Sequence, residues 1–357
     1  MKILLFFIAI IVVDGVKRLG TEENEELQKI CGLKTLPPNT NEENIRVQFP
    51  WAMTLFIKVK ETVNGTTRNR TAVITGTIIS ANHVMALNLF QMTDNKLNIA
   101  GRELLESNGT CLGDLLVVPE EIKSRIVVDS QYSDKIEENH ISELSISSIF
   151  IPNGCTNFAS AKLMILELPT PLKFSEDLKP ACLSESFKNW LEATAFPVYG
   201  VNKIKIFDSV QYSSTNCTVK EPFVCAEKLE KKTGPCIGIY AGNAVANING
   251  RHTILGFYSD GNRKCNTESN TEPDYKFIDA SFYHDSVCKG LGICVSVKKL
   301  PLANPLTGKE KTPKSDKATS STNASEPMEV NIGNENLSNP SREININIFL
   351  DGKKRTQ

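Results

Sequence analysis

The chain has 357 residues and a formal net charge of -1, with 40 basic and 41 acidic side chains. This balance lacks the excess of basic residues that is typical of nucleic-acid-binding proteins, and it gives no polybasic patch for a membrane surface. Apolar residues make up 40% and charged residues 23% of the chain, which is ordinary for a globular protein of one large or two modest domains.

The amino terminus has the plan of a secretory signal peptide. Lys2 precedes an apolar run from Ile3 to Val13, and Val13 and Gly15 are acceptable small residues before a cleavage site. A membrane span needs about 20 apolar residues, and this run is too short. We therefore expect residues 1–15 to be removed and the protein to be secreted, extracellular and without a membrane span. An uncleaved anchor is the alternative.

Three further regions follow along the chain. Residues 16–30 are charged and acid-rich, and we expect them to form a loose acidic leader. Residues 31–297 contain all ten cysteines, both tryptophans and most of the apolar runs, which predicts the folded domain. Residues 298–357 are polar, with Phe349 as their single aromatic residue, and cannot bury enough apolar surface to offset the entropy of ordering. They predict a disordered polar tail.

Short β-like runs dominate residues 31–297, and Asn, Gly, Pro and Asp at turn positions separate them. The runs are Trp51–Val59, Ala72–Ile79, Leu115–Val118, Leu163–Leu168, Ala195–Tyr199, Ala244–Ile248 and Thr253–Tyr258. Helical periodicity is weak except around Ser184–Ala193 and near Phe282–Lys289. Many short strands together with disulfide bonds indicate an all-β barrel or sandwich.

The ten cysteines lie between Cys31 and Cys294, and an even number in an exported chain favours disulfide bonds. There is no Cys-x-x-Cys pair and no Cys/His cluster at zinc spacing, so we predict neither a metal site nor a cofactor. Six sequons are candidate sites for N-linked glycans, and chance occurrence of so short a motif leaves room for unused ones. Their asparagines are Asn64, Asn69, Asn108, Asn216, Asn323 and Asn336.

Six groups of residues, taken in chain order, resemble the trypsin-like serine proteases. They are Pro50–Met53; Gly76–Ser80 with Val84–Ala86; Leu163–Leu168 with Pro171 and Leu172; Lys179–Leu183; Cys236 and Gly238 with Gly242; and Asn249–Arg251 with Thr253–Phe257. The ending from Cys288 to Cys294 is similar to a divergent nematode branch of that family. The resemblance implies two antiparallel six-stranded β-barrels with a cleft between them and a short C-terminal helix.

The resemblance places the family's catalytic histidine, aspartate and serine positions at Leu89, Lys162 and Tyr240. The mechanism needs a hydroxyl, an imidazole that takes its proton and a carboxylate that orients the imidazole. Loss of one member costs about 10⁴-fold in rate, and leucine cannot accept a proton at all. The oxyanion-hole glycine is retained at Gly238. We therefore expect an inactive protein, in which Tyr240 either lines a binding surface or fills the vacated space.

The activation device of the resembled family is also missing from the sequence. Ile239 replaces the aspartate that would pair with a freed N-terminal amine, and no Arg-Ile-Val-Gly-Gly cleavage sequence precedes Pro50. Gly234 stands at the base of the specificity pocket, so the pocket offers no charge to a basic substrate residue. The four histidines are scattered, and we interpret them as surface or structural residues: His83, His140, His252 and His284.

The resemblance further implies five disulfide bonds. One of them ties the N-terminal segment to the crossover between the barrels, and another braces the former active-site loop. The first of these two is Cys31–Cys182 and the second is Cys236–Cys265. The other three are Cys217–Cys225, Cys111–Cys155 and Cys288–Cys294.

These observations together predict a secreted, non-catalytic serine protease homologue that acts as an extracellular binding or regulatory module. Its partner would be an extracellular protein or glycan, and we expect the homologue itself to be a monomer. One alternative is a serine-type endopeptidase, or another hydrolase, with relocated catalytic residues. The other alternative is an inert extracellular glycoprotein, because a fold does not fix a function.

Overall fold

The computed structural model of the protein describes residues 16–33, 49–63, 65–94, 96–100, 103–106, 108–129, 143–176, 178–184, 193–196, 208–213, 217–228, 242–261 and 275–294. The expected signal peptide at 1–15 and the expected polar tail at 298–357 lie outside these ranges. Within the ranges, none of the helices has the length and apolar character that a membrane span requires.

The first element is a helix, α1 (Thr21–Ile30). The backbone N–H of Gly20 donates to Glu23 Oε2 at 2.8 Å, which satisfies one backbone group at the helix start. Glu22 and Glu23 place negative charge in the first turn, where the helix dipole favours it. Leu27 is buried against the core. The acid-rich composition of this segment is therefore compatible with a docked helix.

Distant residues hold the carboxyl end of α1. Arg251 Nη1 donates to the carbonyl oxygens of Lys29 at 2.9 Å and of Cys31 at 2.8 Å, and such carbonyls have no partner within the helix itself. Gln28 Nε2 donates to Cys294 O at 3.3 Å. The expectation of a loose leader over residues 16–30 is therefore wrong, because long-range hydrogen bonds and apolar burial fix the segment.

The described residues form nineteen strands, two further short helices and two 3₁₀ turns. The strands are β1 (Ala52–Val63), β2 (Thr66–Ile78), β3 (His83–Leu87), β4 (Phe90–Thr93), β5 (Lys96–Ile99), β6 (Glu103–Leu104), β7 (Thr110–Leu112), β8 (Leu115–Val117), β9 (Ile126–Asp129), β10 (Glu143–Leu144), β11 (Ser148–Ile151), β12 (Leu163–Glu167), β13 (Cys182–Leu183), β14 (Ala193–Phe196), β15 (Asp208–Tyr212), β16 (Phe223–Lys228), β17 (Asn243–Ile248), β18 (Arg251–Gly261) and β19 (Tyr275–Asp279). The helices are α2 (Glu120–Lys123) and α3 (His284–Leu291), and the 3₁₀ turns are Phe158–Ser160 and Ala280–Tyr283.

Two main sheets account for most of the strands, and their pairs are antiparallel apart from β13 with β18. The first sheet has the order β10-β9-β1-β2-β3-β12-β11-β8-β7. The second has the order β13-β18-β17-β14-β15-β16-β19, and the pairing of β18 with β19 closes a ring of six of its strands. A small sheet, β4-β5-β6, stands beside them. The structure confirms the all-β fold class with two curled sheets. The first sheet has nine strands and not six, because short strands are added at its edges.

The β1–β2 hairpin shows how the sequence sets burial. Residues 52–57 are buried throughout, whereas beyond them Val59 is buried between the exposed Lys58 and Lys60. The base of the hairpin is therefore covered on both faces and its outer part on one face only. Gly76 lies opposite Met53, and a Cβ on Gly76 would come within 2.7 Å of Val84 Cγ1. A larger residue at this glycine would have to displace the Val84 side chain of β3.

Most of the expected elements are present. Strands cover the described parts of all seven β-like runs to within one end residue, and α3 with the preceding 3₁₀ turn confirms the helical segment near Phe282–Lys289. The run Ala195–Tyr199 is a strand over Ala193–Phe196, and residues 197–199 lie outside the described ranges. The helical expectation around Ser184–Ala193 is wrong at Ala193, because that residue pairs with Val210 in the second sheet. Residues 185–192 are not described.

Four of the five expected disulfide bonds are present. They are Cys31–Cys182, Cys111–Cys155, Cys217–Cys225 and Cys288–Cys294. The fifth, Cys236–Cys265, falls on residues that the structure does not describe. The first of these bonds joins the end of α1 to β13, a strand that pairs with β18 of the second sheet.

Candidate functional site

Two of the three expected triad positions lie side by side at one end of the pair formed by β3 and β12. Leu87 pairs with Leu163 at the end of the ladder, and the backbone N–H of Asn88 then donates to Lys162 O at 2.8 Å. Leu89 follows at the next position. Leu89 therefore stands one residue along the chain from a backbone hydrogen bond to Lys162, and these are the residues that the resemblance to trypsin-like proteases places at the histidine and aspartate positions.

The Asn88 side chain fixes the backbone at this place. Its Nδ2 donates to Ala161 O at 2.6 Å, and its Oδ1 accepts from the N–H of Phe90 at 2.8 Å. The carbonyl of Leu89 accepts from the N–H of Ala100 at 2.7 Å, which ties the segment to the small sheet. Sequence reasoning missed Asn88. A single amide side chain inside an apolar run is a signal of a side chain that hydrogen-bonds to nearby backbone groups.

The two triad positions carry side chains that differ in burial. Leu89 is 5% exposed and belongs to the main core. Lys162 is half-buried, and burial lowers the pKa of its ammonium group. At these two positions the protein therefore has an aliphatic group and a cation, where imidazole and carboxylate would be needed for proton transfer.

Tyr283, at the end of the second 3₁₀ turn, holds the backbone before β12. Its hydroxyl donates to Ser160 O at 2.5 Å and accepts the N–H of Lys162 at 3.0 Å. The side chain is fully buried, and burial raises the pKa of its phenol, which therefore stays neutral and remains a donor. The C-terminal part of the chain thus fixes the backbone at Lys162, the expected aspartate position.

The expected serine position and its neighbours lie outside the described residues: Tyr240, Gly238, Ile239 and Gly234. The described chain resumes at Gly242, and Asn243 begins β17. Asn243 Nδ2 donates to Thr77 Oγ1 of β2 at 2.9 Å, and both residues are buried. This hydrogen bond joins the second sheet to the first. The sequence signal for it was a polar residue next to or within a buried apolar run, since Asn243 precedes Ala244–Ile248 and Thr77 lies within Ala72–Ile79.

A second constellation of serine, histidine and carboxylate lies inside the first sheet. Ser80 Oγ and His83 Nδ1 are 2.7 Å apart, and His83 Nε2 lies 3.9 Å from Glu167 Oε1. The last distance exceeds that of a hydrogen bond. All three side chains are buried, at 2%, 0% and 5% exposure respectively. A substrate cannot reach the hydroxyl, so these residues are structural, which agrees with the interpretation of His83.

The electrostatics of His83 follow from its burial. Burial, together with the smaller effect of the positive charge of Lys17, lowers the pKa of the imidazole to about 4. Glu167, the carboxylate nearest to the ring, accepts hydrogen bonds from Ser147 Oγ at 2.9 Å and from the backbone N–H of Lys17 at 2.6 Å. The imidazole therefore remains neutral at physiological pH.

The architecture agrees with a comparison of the sequence with protein families. A model described as the nematode trypsin-6-like family matches residues 1–294. The chain belongs to the nematode trypsin-6-like family. A comparison with curated proteins finds no match.

Membership of the nematode trypsin-6-like family relates this chain to the serine proteases and confirms the resemblance drawn from its motifs. The matched range includes Leu89 and Lys162 as well as the four described disulfide bonds. Across the described residues, no group of histidine, cysteine, aspartate and glutamate side chains is arranged to hold a metal ion.

Two of the six sequons in this member of the nematode trypsin-6-like family fall on described asparagines. Asn69 lies near the tip of the β1–β2 hairpin, paired with Lys60, and its side chain is exposed. Asn108 precedes β7 and is also exposed, and its Oδ1 accepts from the N–H of Leu97 at 3.2 Å. The other four asparagines, Asn64, Asn216, Asn323 and Asn336, lie outside the described residues.

Proposed function

We propose that this protein is a secreted, non-catalytic serine protease homologue that works as an extracellular binding or regulatory module. The observation that carries the proposal is the adjacency of Leu89 and Lys162 at the end of the β3–β12 pair. An enzyme of this type needs an imidazole oriented by a carboxylate there. Leucine has no proton-accepting group, and a lysine cation would oppose the positive charge that a catalytic histidine gains.

Magnitudes support the absence of catalysis. Removal of one triad member costs about 10⁴-fold in rate, and an oxyanion hole without a nucleophile retains only about 10³-fold over water. Tyr240, at the serine position, is a phenol with an ordinary pKa of about 10. With leucine at the neighbouring triad position, no imidazole is available to activate that phenol.

Among the described residues, the buried side chains of Ser80, His83 and Glu167 are the group that most resembles a relocated catalytic triad. Its serine is 2% exposed, and its histidine is 3.9 Å from the carboxylate. A catalytic hydroxyl must meet the substrate carbonyl, which burial inside the first sheet prevents. The geometry therefore favours a binding module over a hydrolase with relocated residues.

A binding role fits the way in which the fold is maintained. Four described disulfide bonds stabilise the scaffold, and Tyr283 and Asn88 fix the backbone around Lys162. A half-buried lysine whose backbone is fixed on both sides presents a cation at a defined place. We expect an extracellular protein or glycan with an anionic group as the partner, bound by one copy of the chain.

A serine-directed covalent probe tests the absence of catalysis. The full secreted chain is incubated with a fluorophosphonate and its intact mass is measured, with trypsin as a positive control. We expect no adduct on this protein and complete labelling of trypsin. An adduct on a serine of the native chain that disappears after heat denaturation would show an activated nucleophile and overturn the proposal.

Binding is tested with a charge reversal at the former aspartate position. Immobilised wild-type protein and the Lys162→Glu variant are compared for saturable binding of components of extracellular fluid. Lys58→Glu, on the exposed part of β1, is the matched control. We expect the first variant to lose at least about tenfold in affinity, equivalent to one lost charge-assisted contact, and the control to bind like wild type. An absence of saturable binding by the wild type would favour an inert glycoprotein.

A further inference from the structure

Glu167 is a buried carboxylate with neutral hydrogen-bond donors. It ends β12 and is 5% exposed. Its Oε1 accepts the backbone N–H of Lys17 at 2.6 Å, and its Oε2 accepts the hydroxyl of Ser147 at 2.9 Å. Both donors lower the cost of burying the carboxylate, but neither carries a charge that would compensate for it.

No compensating side chain is found among the residues that the structure describes. None of the described lysine or arginine side chains lies within ion-pairing distance of Glu167, and the nearest cationic candidate is His83, whose Nε2 is 3.9 Å away. The imidazole of His83 is fully buried, and burial keeps it neutral. A buried carboxylate without a cation is costly, because the ion has lost its hydration and has no opposite charge in return. A cation is therefore expected from another source.

The N-terminal segment is fixed next to this carboxylate. Val16 packs against the main core, and the N–H of Leu19 donates to Leu291 O at 2.8 Å. Between them, Lys17 presents its backbone nitrogen to Glu167 while its side chain is exposed. The backbone at residue 16 is therefore brought to the edge of the buried site.

We propose that removal of residues 1–15 creates an α-ammonium group on Val16 that pairs with Glu167 and completes the fold. Hydrolysis of the Gly15–Val16 peptide bond by signal peptidase consumes one water and leaves a carboxylate on Gly15 and an ammonium on Val16. Consecutive Cα atoms are about 3.8 Å apart, so the new ammonium lies within one peptide unit of the Lys17 nitrogen that already contacts the carboxylate. An opposite charge at this range stabilises a buried carboxylate.

This inference rests on the secretion that forms part of the proposed function, and not on the absence of catalysis. The carboxylate differs from the one that trypsin-like enzymes use, since that position is Ile239 in this chain. Here the amine would enter the first sheet rather than the former active-site loop. Export and the completion of the fold are thereby coupled, because the unprocessed chain lacks the cation.

Protection of the amine against acetylation tests the pairing. The secreted full chain is first sequenced from its amino terminus and is then treated with succinimidyl acetate near neutral pH. Mass spectrometry of the N-terminal peptide follows the reaction. We expect Val16 as the first residue and acetylation about tenfold slower than in Glu167→Gln, because one unit of raised amine pKa reduces the reactive free amine tenfold.

Glu103→Gln is the matched control, since Glu103 is a partly buried carboxylate on the small sheet that pairs with Arg125. We expect this variant to protect Val16 as well as the wild type does. A mature chain that begins at any other residue, or equal acetylation rates in wild type and Glu167→Gln, would overturn the inference.

An extended chain gives a second test if Glu167→Gln is not secreted. Three residues, Ser-Glu-Asp, are inserted between Gly15 and Val16 so that the mature amine is moved away from the site without a new cleavage sequence before Val16, and N-terminal sequencing checks the new first residue. We expect a lower melting temperature for the extended protein, and an unchanged one would contradict the pairing. The fluorophosphonate assay is run on the same preparations. Labelling with Val16 still protected would overturn the non-catalytic proposal alone, whereas unprotected Val16 without labelling would overturn the pairing alone.

Discussion

The phenolic oxygen of Tyr283 accepts the backbone N–H of Lys162 at 3.0 Å and joins the C-terminal helical segment to the expected aspartate position. The same hydroxyl donates to Ser160 O at 2.5 Å. We expect Tyr283→Phe to lower the free energy of unfolding by about 1–2 kcal/mol, because it removes both hydrogen bonds of a buried hydroxyl, whereas the N–H of Lys162 keeps Ser160 O as an acceptor at 2.9 Å. Chemical denaturation of the secreted protein measures the change.

Tyr212→Phe serves as the control for the loss of a hydroxyl, since Tyr212 is a half-buried tyrosine at the end of β15. We expect this substitution to change the free energy of unfolding by less than about 0.5 kcal/mol. Equal effects of the two substitutions would mean that the Tyr283 hydroxyl does not hold the backbone at Lys162.

The hydrogen bond from Asn243 to Thr77 predicts energetic coupling between the two sheets. We expect Asn243→Ala and Thr77→Val each to destabilise the protein, because each leaves one buried polar group unpaired. The double variant should be more stable than the sum of the two losses predicts, with a coupling energy of about 1 kcal/mol in a double-mutant cycle. Strict additivity of the two effects would show that the hydrogen bond contributes nothing.

The elements of the fold were largely predictable because their signals are local. The apolar run that became β1 and the amphipathic segment that became α3 each carry their own pattern, and the structure has a strand and a helix there. The four described disulfide bonds followed from the family resemblance, since connectivity cannot be deduced from cysteine spacing alone. Adjacency of Leu89 and Lys162 was likewise implied by the resemblance.

The parts that sequence reasoning missed depend on contacts between distant residues. The segment around α1 is acid-rich and looks solvated, yet its last carbonyls are satisfied by Arg251, 222 and 220 positions away along the chain. The contact between Lys17 and Glu167 spans 150 positions. Glu167 itself stood in the expected strand Leu163–Leu168 as a single charged residue among apolar ones, which was the available signal for a buried polar contact.

Glycosylation is expected at Asn108, whose sequon is exposed beside β7. Thr110→Ala removes the sequon but keeps the asparagine and its hydrogen bond from Leu97. We expect the secreted variant to lose the mass of one N-linked glycan relative to wild type. Intact mass spectrometry before and after enzymatic deglycosylation measures this, and Ser124→Ala, outside any sequon, is the control. An unchanged glycan mass would show that Asn108 is unmodified.

The disulfide bonds should differ in their contribution to stability according to the loop that each one closes. Cys31–Cys182 has a sequence separation of 151, whereas Cys288–Cys294 has a separation of 6. Chain-entropy arguments give losses of about 5 kcal/mol and about 2 kcal/mol when both cysteines of a pair are replaced by serine. Urea denaturation of the two double variants compares them, and an equal or reversed order would mean that the long bond does not restrict the unfolded chain.

The buried imidazole of His83 predicts a dependence of stability on pH. Its pKa is about 4 in the folded protein and 6.5 in the unfolded chain, so only the unfolded chain binds the proton between these values. Stability from this residue is therefore complete above pH 6.5, is lost as the pH falls, and levels off near pH 4. The total loss is about 3 kcal/mol by linkage. The free energy of unfolding is measured across this range.

His83→Gln keeps a group that can hydrogen-bond to Ser80 but removes the titration, so we expect it to flatten the slope between these pH values. The comparison is of slopes and does not depend on the absolute stability of the variant. His284→Gln, at the partly exposed start of α3, should keep the wild-type slope. If His83→Gln retained the full slope, the proton would be bound elsewhere. The charged groups facing His83, which are Glu167 and Lys17, would then be the next to replace.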